Sequence, residues 1–332
     1  MNPTSAILPI SIIGVGSYSP DQMLTNADLE KKVDTSDEWI ASRTGIRQRH
    51  IAGADETTSS MGAKAARCAL EKAGVQPSEV DLIIVATCTP DMPFPATACW
   101  IQKELGSAGA AAFDLTAACS GFMYALSVGE QFVKTGAAKT ALVIGAEKIS
   151  TVLDWTDRNT CVLFGDGAGA VVLRHISGQP GIRSTVLGAD GRHTDILHLS
   201  CGSNDAPSHH PPKPGEPVFM HMSGREVFKV AVVGMHKAAT EALERSGLTL
   251  EQISCIIPHQ ANIRIIEAIA DRMKIGTDRF FINVQNHGNT SAASIPVALD
   301  EAISQGRVKK GDSILFVAFG GGLTWASSVI TL

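Results

Sequence analysis

One cysteine in this sequence stands where a strand passes into a helix. Residues 110–115 form a strand-like run, and Phe122, Val128 and Phe132 then recur at helical spacing. A thiol at a helix N-terminus lies near the positive end of the helix dipole, which favours the nucleophilic thiolate. Cys119 is therefore a candidate nucleophile. The alternative is a small buried packing residue, which is the common role of a free cysteine.

A histidine ends a second apolar run later in the chain. The segment Ile256-Ile-Pro-His259 predicts a short buried strand that finishes on the histidine. A single histidine on a strand is most often a structural residue. It becomes a candidate for catalysis only if the fold brings its ring to a nucleophile.

The cysteine and the histidine lie in different copies of an internal repeat. Residues 63–84 align without a gap to residues 236–257, and nine of the aligned pairs are identical, whereas background usage would give roughly two. A second alignment sets Asn289 against Cys119 and Gly306 against Gly136, where the first helix is predicted to end. We therefore predict two copies of one strand-and-helix unit, residues 1–175 and 176–332.

This repeat predicts where a site forms. Ligand sites in open α/β sheets collect at the carboxyl ends of strands. If the two copies pack about a pseudo-twofold axis, Cys119 from the first copy converges with His259 and Asn289 from the second. These three side chains are the candidate catalytic set.

The composition excludes several classes of protein. The 332 residues carry a net charge of −5, which gives no overall positive field for nucleic acid. No apolar run is long enough to cross a membrane. The seven cysteines are odd in number and none are spaced C-x-x-C, which argues against disulfides or a metal site and predicts a reducing compartment, the cytoplasm. The segment 199–217 is polar and rich in proline, and it predicts a loop.

A tryptophan lies among arginines near the start of the chain. Residues 34–50 include Trp39, Arg43 and Arg49, which could stack on and pair with a nucleotide. The alternative is a solvated segment anchored by one tryptophan, and these residues alone favour that alternative.

Seven motifs together resemble the β-ketoacyl-acyl-carrier-protein synthase III family of the thiolase-like superfamily, over essentially the full length. They are Asp34-Thr-Ser-Asp-Glu-Trp39-Ile, Arg43-Thr-Gly-Ile, Ala118-Cys119-Ser-Gly-Phe122, Phe164-Gly-Asp-Gly-Ala-Gly, Pro258-His259-Gln-Ala-Asn262-Ile-Arg264, His287-Gly-Asn289-Thr-Ser291 and Phe319-Gly-Gly-Gly-Leu-Thr-Trp325. Any one of these motifs would be weak, but the set is specific.

The resemblance implies a fold and a reaction. The fold is an α/β duplicated thiolase-like fold, with two pseudo-symmetric halves and mixed five-stranded sheets layered α-β-α-β-α. In the reaction, Cys119 takes the acyl group of an acyl-CoA, either acetyl-CoA or another short starter. The N–H groups of Cys119 and Gly321 would form the oxyanion hole. His259 and Asn289 would then stabilise the enolate formed when malonyl-acyl-carrier protein loses CO₂. No metal or other cofactor is implied.

The resemblance also assigns binding residues. Trp39 and Arg158 would hold the adenine of CoA, Arg43 its pyrophosphate and Asn262 its pantetheine arm. Arg264 would help to dock the acyl carrier protein. Phe94 would close the acyl pocket of the neighbouring subunit, which implies a homodimer.

Three other functions remain open at this stage. A synthase III homologue could condense other acyl chains for a quinolone, polyketide or similar secondary product. A cysteine hydrolase would also use Cys, His and Asn, although the local signature of papain-like proteases is absent. A non-catalytic nucleotide-binding module is the third possibility, but it would leave Cys119, His259 and Asn289 without a role.

Overall fold

The computed structural model describes residues 9–200 and 218–332. The predicted loop at 199–217 therefore lies almost wholly outside the described residues. The helices are α1 (Asn26–Leu29), α2 (Asp37–Thr44), α3 (Thr58–Ala73), α4 (Thr97–Leu105), α5 (Gly121–Lys134), α6 (Gly224–Ser246), α7 (Ile263–Met273), α8 (Val284–His287) and α9 (Ser294–Ser304). The strands are β1 (Ile10–Tyr18), β2 (Met23–Thr25), β3 (Gln48–His50), β4 (Leu82–Ala86), β5 (Ala111–Leu115), β6 (Thr140–Glu147), β7 (Gly167–His175), β8 (Gly181–Ala189), β9 (Leu197–Leu199), β10 (Met220–Met222), β11 (Cys255–Pro258), β12 (Ser313–Gly320) and β13 (Thr324–Thr331).

The first half contains a mixed five-stranded sheet in the order β1-β7-β6-β4-β5. Strand β4 pairs in parallel with β5 and β6, and β7 pairs antiparallel with β6 and β1. Gly14 and Gly16 let helix α3 pack directly on β1, because a Cβ at either position would lie within 2.4 Å of the backbone of Ala69. This Gly-Val-Gly segment is therefore a packing feature.

The second half repeats this order with one difference. Its sheet runs β11-β12-β13-β8, with four strands rather than the predicted five. The fifth position is reduced to one bridge between Ile256 and Phe280. The Gln260 side chain forms hydrogen bonds with backbone groups beside this bridge. It donates to the carbonyls of Pro258 and Phe281 and accepts from the N–H groups of Asn283 and Val284. A side chain thus satisfies buried backbone groups that a fifth strand would otherwise pair.

The layers follow from which faces are buried. Helices α3 and α4 pack on the outer face of the first sheet, and α6 and α7 on the outer face of the second. Helices α5 and α9 lie between the two sheets, in a core cluster that includes strands of both halves. The predicted α-β-α-β-α layering is confirmed, and the predicted division near residue 176 falls between β7 and β8.

Two short turns meet at the centre of the molecule. A 3₁₀ turn at Ala118–Ser120 leads into α5, and another at Ser291–Ala293 leads into α9. Both begin with a left-handed residue, Ala118 at φ 47° and Ser291 at φ 50°. The two turns contact each other, and each also contacts the central strand of the opposite half.

The match between these two turns shows that Asn289 is not the counterpart of Cys119, as the sequence alignment predicted. By place in the turn, the counterpart of Cys119 is Ala292, and Asn289 lies just before the second turn. The sequence alignment was wrong by three residues because α9 is shorter than α5, so the glycines that follow the two helices align while their starts do not.

None of the helices in the described part of the chain is both long enough and apolar enough to cross a lipid bilayer.

Candidate active site

Cys119 is held in the turn between β5 and α5 rather than in the helix itself. The Ser120 hydroxyl lies 2.7 Å from that of Thr324 and 2.8 Å from the Ala117 carbonyl, which ties the turn to β13. Gly320, at the end of β12, approaches so closely that a Cβ there would lie 2.7 Å from the Cys119 nitrogen. The nucleophile of the first half therefore rests on a strand of the second.

The surroundings of the Cys119 thiol favour its protonated form, whereas its place before a helix predicted the thiolate. Burial and, to a smaller extent, the charge of the buried Glu147 raise the pKa of Cys119 to about 11, although hydrogen bonding with Ser291 lowers it. The expectation of a favoured thiolate was wrong, because the sulfur has lost the water that would stabilise its charged form. Cys119 is a protonated thiol in this state, and it must lose its proton as it attacks.

His259 follows the last residue of β11 and is buried. Its backbone N–H donates to the Val317 carbonyl at 2.8 Å, and the Ser294 hydroxyl lies 2.6 Å from its Nδ1. Burial lowers the pKa of His259 to about 3, so the ring is neutral. When Ser294 donates to Nδ1, the single ring hydrogen lies on Nε2.

Asn289 has a fixed carboxamide. Its backbone is bridged to the Phe164 strand segment by two hydrogen bonds, from its N–H to the Leu163 carbonyl and from the Gly165 N–H to its own carbonyl. The Ser291 N–H donates to Asn289 Oδ1 at 2.8 Å. Because the oxygen is occupied in this way, the amide nitrogen is the end left to donate to a ligand.

These three side chains line one pocket of about 190 Å³. Its walls are mainly apolar and include Leu197, Met222, Phe228 and Met235, and Gly320 and Gly321 also line it. The pocket thus presents the Cys119 thiol and two neutral hydrogen-bond donors in a largely apolar space, and a second cysteine, Cys88, also lines it. Such donors suit an oxygen on which negative charge develops during a reaction.

A buried carboxylate behind the pocket was missed from the sequence. Glu147 ends β6 and has no exposed surface. Its Oε1 accepts from the Ser291 hydroxyl at 2.9 Å and from the Cys88 thiol at 3.2 Å. The available signal was an acidic residue directly after the apolar run at 141–146, which is unusual in a buried strand unless the acid is hydrogen-bonded.

The residues assigned to the nucleotide of CoA lie together. The guanidinium carbons of Arg43 and Arg158 lie 4.9 and 5.2 Å from the centre of the Trp39 ring. Arg158 also donates to the Asp34 carbonyl at 2.8 Å. One aromatic face with two cations offers stacking and phosphate pairing at the same place.

The residues assigned to the pantetheine arm and the carrier protein stand at the start of α7. Asn262 caps this helix by accepting from the Arg264 N–H at 2.9 Å, and it lines the pocket. Arg264 is exposed. Gly45, at the end of the Trp39 helix, packs on Ile263, so this contact connects the tryptophan to the pocket mouth.

Phe94 lies apart from the pocket of its own chain. Its side chain is 84% exposed, in the loop between β4 and α4. Its predicted role, which requires a second subunit, stays a prediction. Among residues 9–200 and 218–332 no three His, Cys, Asp or Glu side chains are grouped so that they could hold a metal ion.

The family models match both halves of the chain. The model described as 3-oxoacyl-[acyl-carrier-protein (ACP)] synthase III matches residues 113–191, and the model of the C-terminal part of the same enzyme matches residues 243–332. The first match includes Cys119, and the second includes His259 and Asn289.

Full-length relatives agree with these matches. The chain is 54% identical, over 96% of both chains, to a beta-ketoacyl-[acyl-carrier-protein] synthase III of Caldanaerobacter subterraneus subsp. tengcongensis. It superimposes with a TM-score of 0.90 on the 3-oxoacyl-[acyl-carrier-protein] synthase III of Aquifex aeolicus, at 50% identity over 97% of this chain and 100% of the other. A priming beta-ketosynthase from a polyketide biosynthetic pathway superimposes at 0.91, with 39% identity over 99% of each chain.

Identity of this extent, together with a thiol, an imidazole and a carboxamide lining one pocket, places the chain in the 3-oxoacyl-[acyl-carrier-protein] synthase III family of acyltransferases.

Proposed function

We propose that this protein catalyses the initiating condensation of fatty acid synthesis. An acyl group passes from an acyl-CoA to Cys119, and the acyl-enzyme then condenses with malonyl-acyl-carrier protein to give a 3-ketoacyl-carrier protein. The observation that carries the proposal is the pocket itself, in which a thiol faces two neutral donors, His259 and Asn289.

In the first step the Cys119 sulfur attacks the thioester carbon of the acyl-CoA. The N–H groups of Cys119 and Gly321 would stabilise the tetrahedral oxyanion. The S–C bond to CoA then breaks, and CoA leaves as a thiol with a proton equivalent to the one that Cys119 lost. Trp39, Arg43, Arg158 and Asn262 would bind the departing CoA.

In the second step the malonyl group loses CO₂, and the electron pair of the broken C–C bond moves into an enolate. His259 Nε2–H and the Asn289 amide would donate to the enolate oxygen. The carbon then attacks the acyl-Cys119 carbonyl, and Cys119 is released and reprotonated. Neutral donors suit this step, because a charged imidazolium would be costly to keep in the buried pocket.

Single substitutions test whether Cys119 is needed for acylation, and His259 and Asn289 for condensation. We expect Cys119→Ala to abolish the acyl adduct, because no sulfur remains. His259→Ala and Asn289→Ala should keep the adduct but slow condensation by about 100-fold or more, because each removes one donor from the oxyanion. Intact-mass spectrometry after incubation with a panel of acyl-CoAs measures the adduct and shows the starter that is preferred. Condensation at a normal rate by Cys119→Ala would refute the proposal.

A second candidate is the priming condensation of a secondary-product pathway. It is favoured by the likeness to the polyketide priming beta-ketosynthase. Both candidates use the same chemistry and differ in the acyl chain and the carrier protein. Assays with carrier proteins of both kinds, read by mass of the product, distinguish them.

We further propose that the protein acts as a homodimer in the cytoplasm, with no metal or other cofactor. Strand β5 lies at the edge of its sheet, and Phe94 projects from a nearby loop that also exposes Met92. The six cysteines in the described ranges are all free thiols, as expected in a reducing compartment.

Phe94→Ala tests the shared pocket. If Phe94 closes the pocket of the partner subunit, the smaller side chain should shift acylation toward longer acyl-CoAs while sedimentation still gives a dimer. A monomeric wild-type protein, or an unchanged acyl-CoA preference, would contradict this assignment. Met23→Ala is the matched control, because Met23 is also an exposed apolar residue but lies outside this loop.

A further inference from the structure

Glu147 is a fully buried acidic side chain beside the pocket, and neither step of the proposed reaction uses it. Its Oε2 accepts from the hydroxyls of Thr87 and Thr89 and from the N–H groups of Cys88 and Thr89, at 2.6–3.1 Å. Its Oε1 accepts from Cys88 and Ser291. The Glu147 oxygens accept all six of these hydrogen bonds. Burial raises the pKa of the carboxyl, whereas the bonds from Thr89, Cys88 and Ser291 lower it.

These bonds join two segments that are distant in the chain but meet at the pocket, where the Cys88 sulfur lies 3.8 Å from the Ser291 hydroxyl oxygen. Cys88 and Thr89 follow β4 of the first half, and Ser291 begins the turn before α9 of the second half. Glu147 bonds to both, although it lies on neither segment. A buried ionic acceptor of this kind fixes its donors in place, because any of them left unpaired would cost free energy.

Ser291 connects Glu147 to the side-chain amide of Asn289. Its hydroxyl donates to Glu147, while its N–H donates to Asn289 Oδ1 at 2.8 Å. Ser291 also stands at φ 50°, a backbone conformation that a residue other than glycine adopts only when its surroundings hold it there. The Ser291 hydroxyl donates to Glu147 and lies 3.8 Å from the Cys88 sulfur, and these contacts fix its side chain.

We propose that Glu147 is a positioning residue, which holds Ser291 and through it keeps the Asn289 amide directed at the thioester oxygen of the malonyl group. This rests on the proposed function, since it assigns Glu147 a part in the condensation step. None of the hydrogen bonds of Glu147 goes to Cys119, and its charge raises the pKa of the Cys119 thiol, so replacing it with a neutral side chain is not expected to slow acylation.

Glu147→Gln tests the proposal, because the amide keeps the shape but replaces one acceptor oxygen with a donor. We expect Cys119 acylation by acetyl-CoA not to fall below about half of the wild-type rate, because the substitution removes a charge that disfavours the thiolate. Condensation by the pre-acylated enzyme should slow by about 10- to 100-fold, with kcat falling and KM for malonyl-carrier protein little changed, because a misplaced donor costs rate. Glu130→Gln is the matched control: Glu130 is a buried carboxylate on α5 that pairs with Lys134, and its variant should condense at the wild-type rate.

A double-mutant cycle separates positioning from a general loss of structure. If Glu147 acts through Asn289, then Glu147→Gln should change condensation by less than about 2-fold in the Asn289→Ala background. If the Gln variant does not fold, Ser291→Ala breaks the same connection from its other end and should give the same non-additive result.

Two outcomes would overturn the inference. One is condensation by Glu147→Gln at the wild-type rate, and the other is multiplication of the two losses in the double variant. A wild-type protein that forms no acyl adduct at all would instead refute the proposed function, so the two failures can be told apart.

Discussion

At the scale of single residues, burial sets the protonation states in the pocket. It raises the pKa of Cys119 to about 11 and lowers that of His259 to about 3, so both groups are neutral at physiological pH. A neutral pair admits an anionic malonyl group without placing a second fixed charge in an apolar space. When the Ser294 hydroxyl donates to His259 Nδ1, the hydrogen of the neutral ring lies on Nε2.

The low pKa of His259 predicts how activity and stability respond to pH. Condensation by pre-acylated enzyme should show no change in rate near pH 6.5, where an exposed histidine would titrate. The unfolded chain binds a proton near pH 6.5 and the folded chain only near pH 3, so stability is lost as the pH falls between these values.

Urea unfolding of wild type and His259→Gln at pH 7 and pH 5 measures the effect on stability. The wild type should lose about 2 kcal/mol more than the variant over this interval, with the sign set by the proton bound in the unfolded state. An equal loss in both proteins would show that His259 is not held neutral by burial.

At the scale of elements, the Cys119 turn depends on the glycine that faces it. A Cβ on Gly320 would lie 2.7–2.9 Å from Cys119 N, Ser120 N and Ala117 O, all of which are backbone atoms that cannot move independently. The strand of one half therefore defines the position of the nucleophile in the other.

Gly320→Ala should slow Cys119 acylation by about 100-fold, because displacement of the turn also displaces the N–H group of Cys119. The rate of adduct formation with acetyl-CoA measures this. Gly191→Ala is the control, since nothing lies within 4 Å of a Cβ at that position. Normal acylation by Gly320→Ala would show that the turn tolerates the shift.

At the scale of the whole molecule, the two halves share a core. Helix α5 of the first half and α9 of the second both lie in the cluster between the sheets. An ion pair between Lys72 and Asp300 also joins the halves. The described parts of the two sheets follow the same strand order apart from the fifth strand, but neither sheet keeps its side of the central layer buried without the other.

We therefore expect the chain to unfold in a single transition. Trp325→Phe leaves only tryptophans of the first half, and a chain in which Trp325 alone is kept reports on the second half. The denaturation midpoints of the two variants should agree within error with the midpoint from circular dichroism. Two separate midpoints would show that the halves fold independently.

The sequence by itself determined the class of fold and the three candidate catalytic side chains. The repeat is visible because helix, glycine and buried strand have local signatures, and the Ala-Cys119-Ser-Gly and Pro-His259-Gln motifs lie within single segments. The sequence did not show that the second sheet lacks its fifth strand. Gln260 pairs the backbone groups there through side-chain hydrogen bonds, which leave no periodic pattern in the sequence.

Only the tertiary structure decided the pKa values and the hydrogen bonds of those side chains. The pKa of Cys119 depends on the atoms that displace water from its sulfur, and the contacts that bring this about come from distant parts of the chain. The same is true of Glu147, which bonds to Cys88 and to Ser291 across the two halves. Local sequence specifies which elements form, whereas desolvation and hydrogen bonding between the halves exist only once those elements are packed.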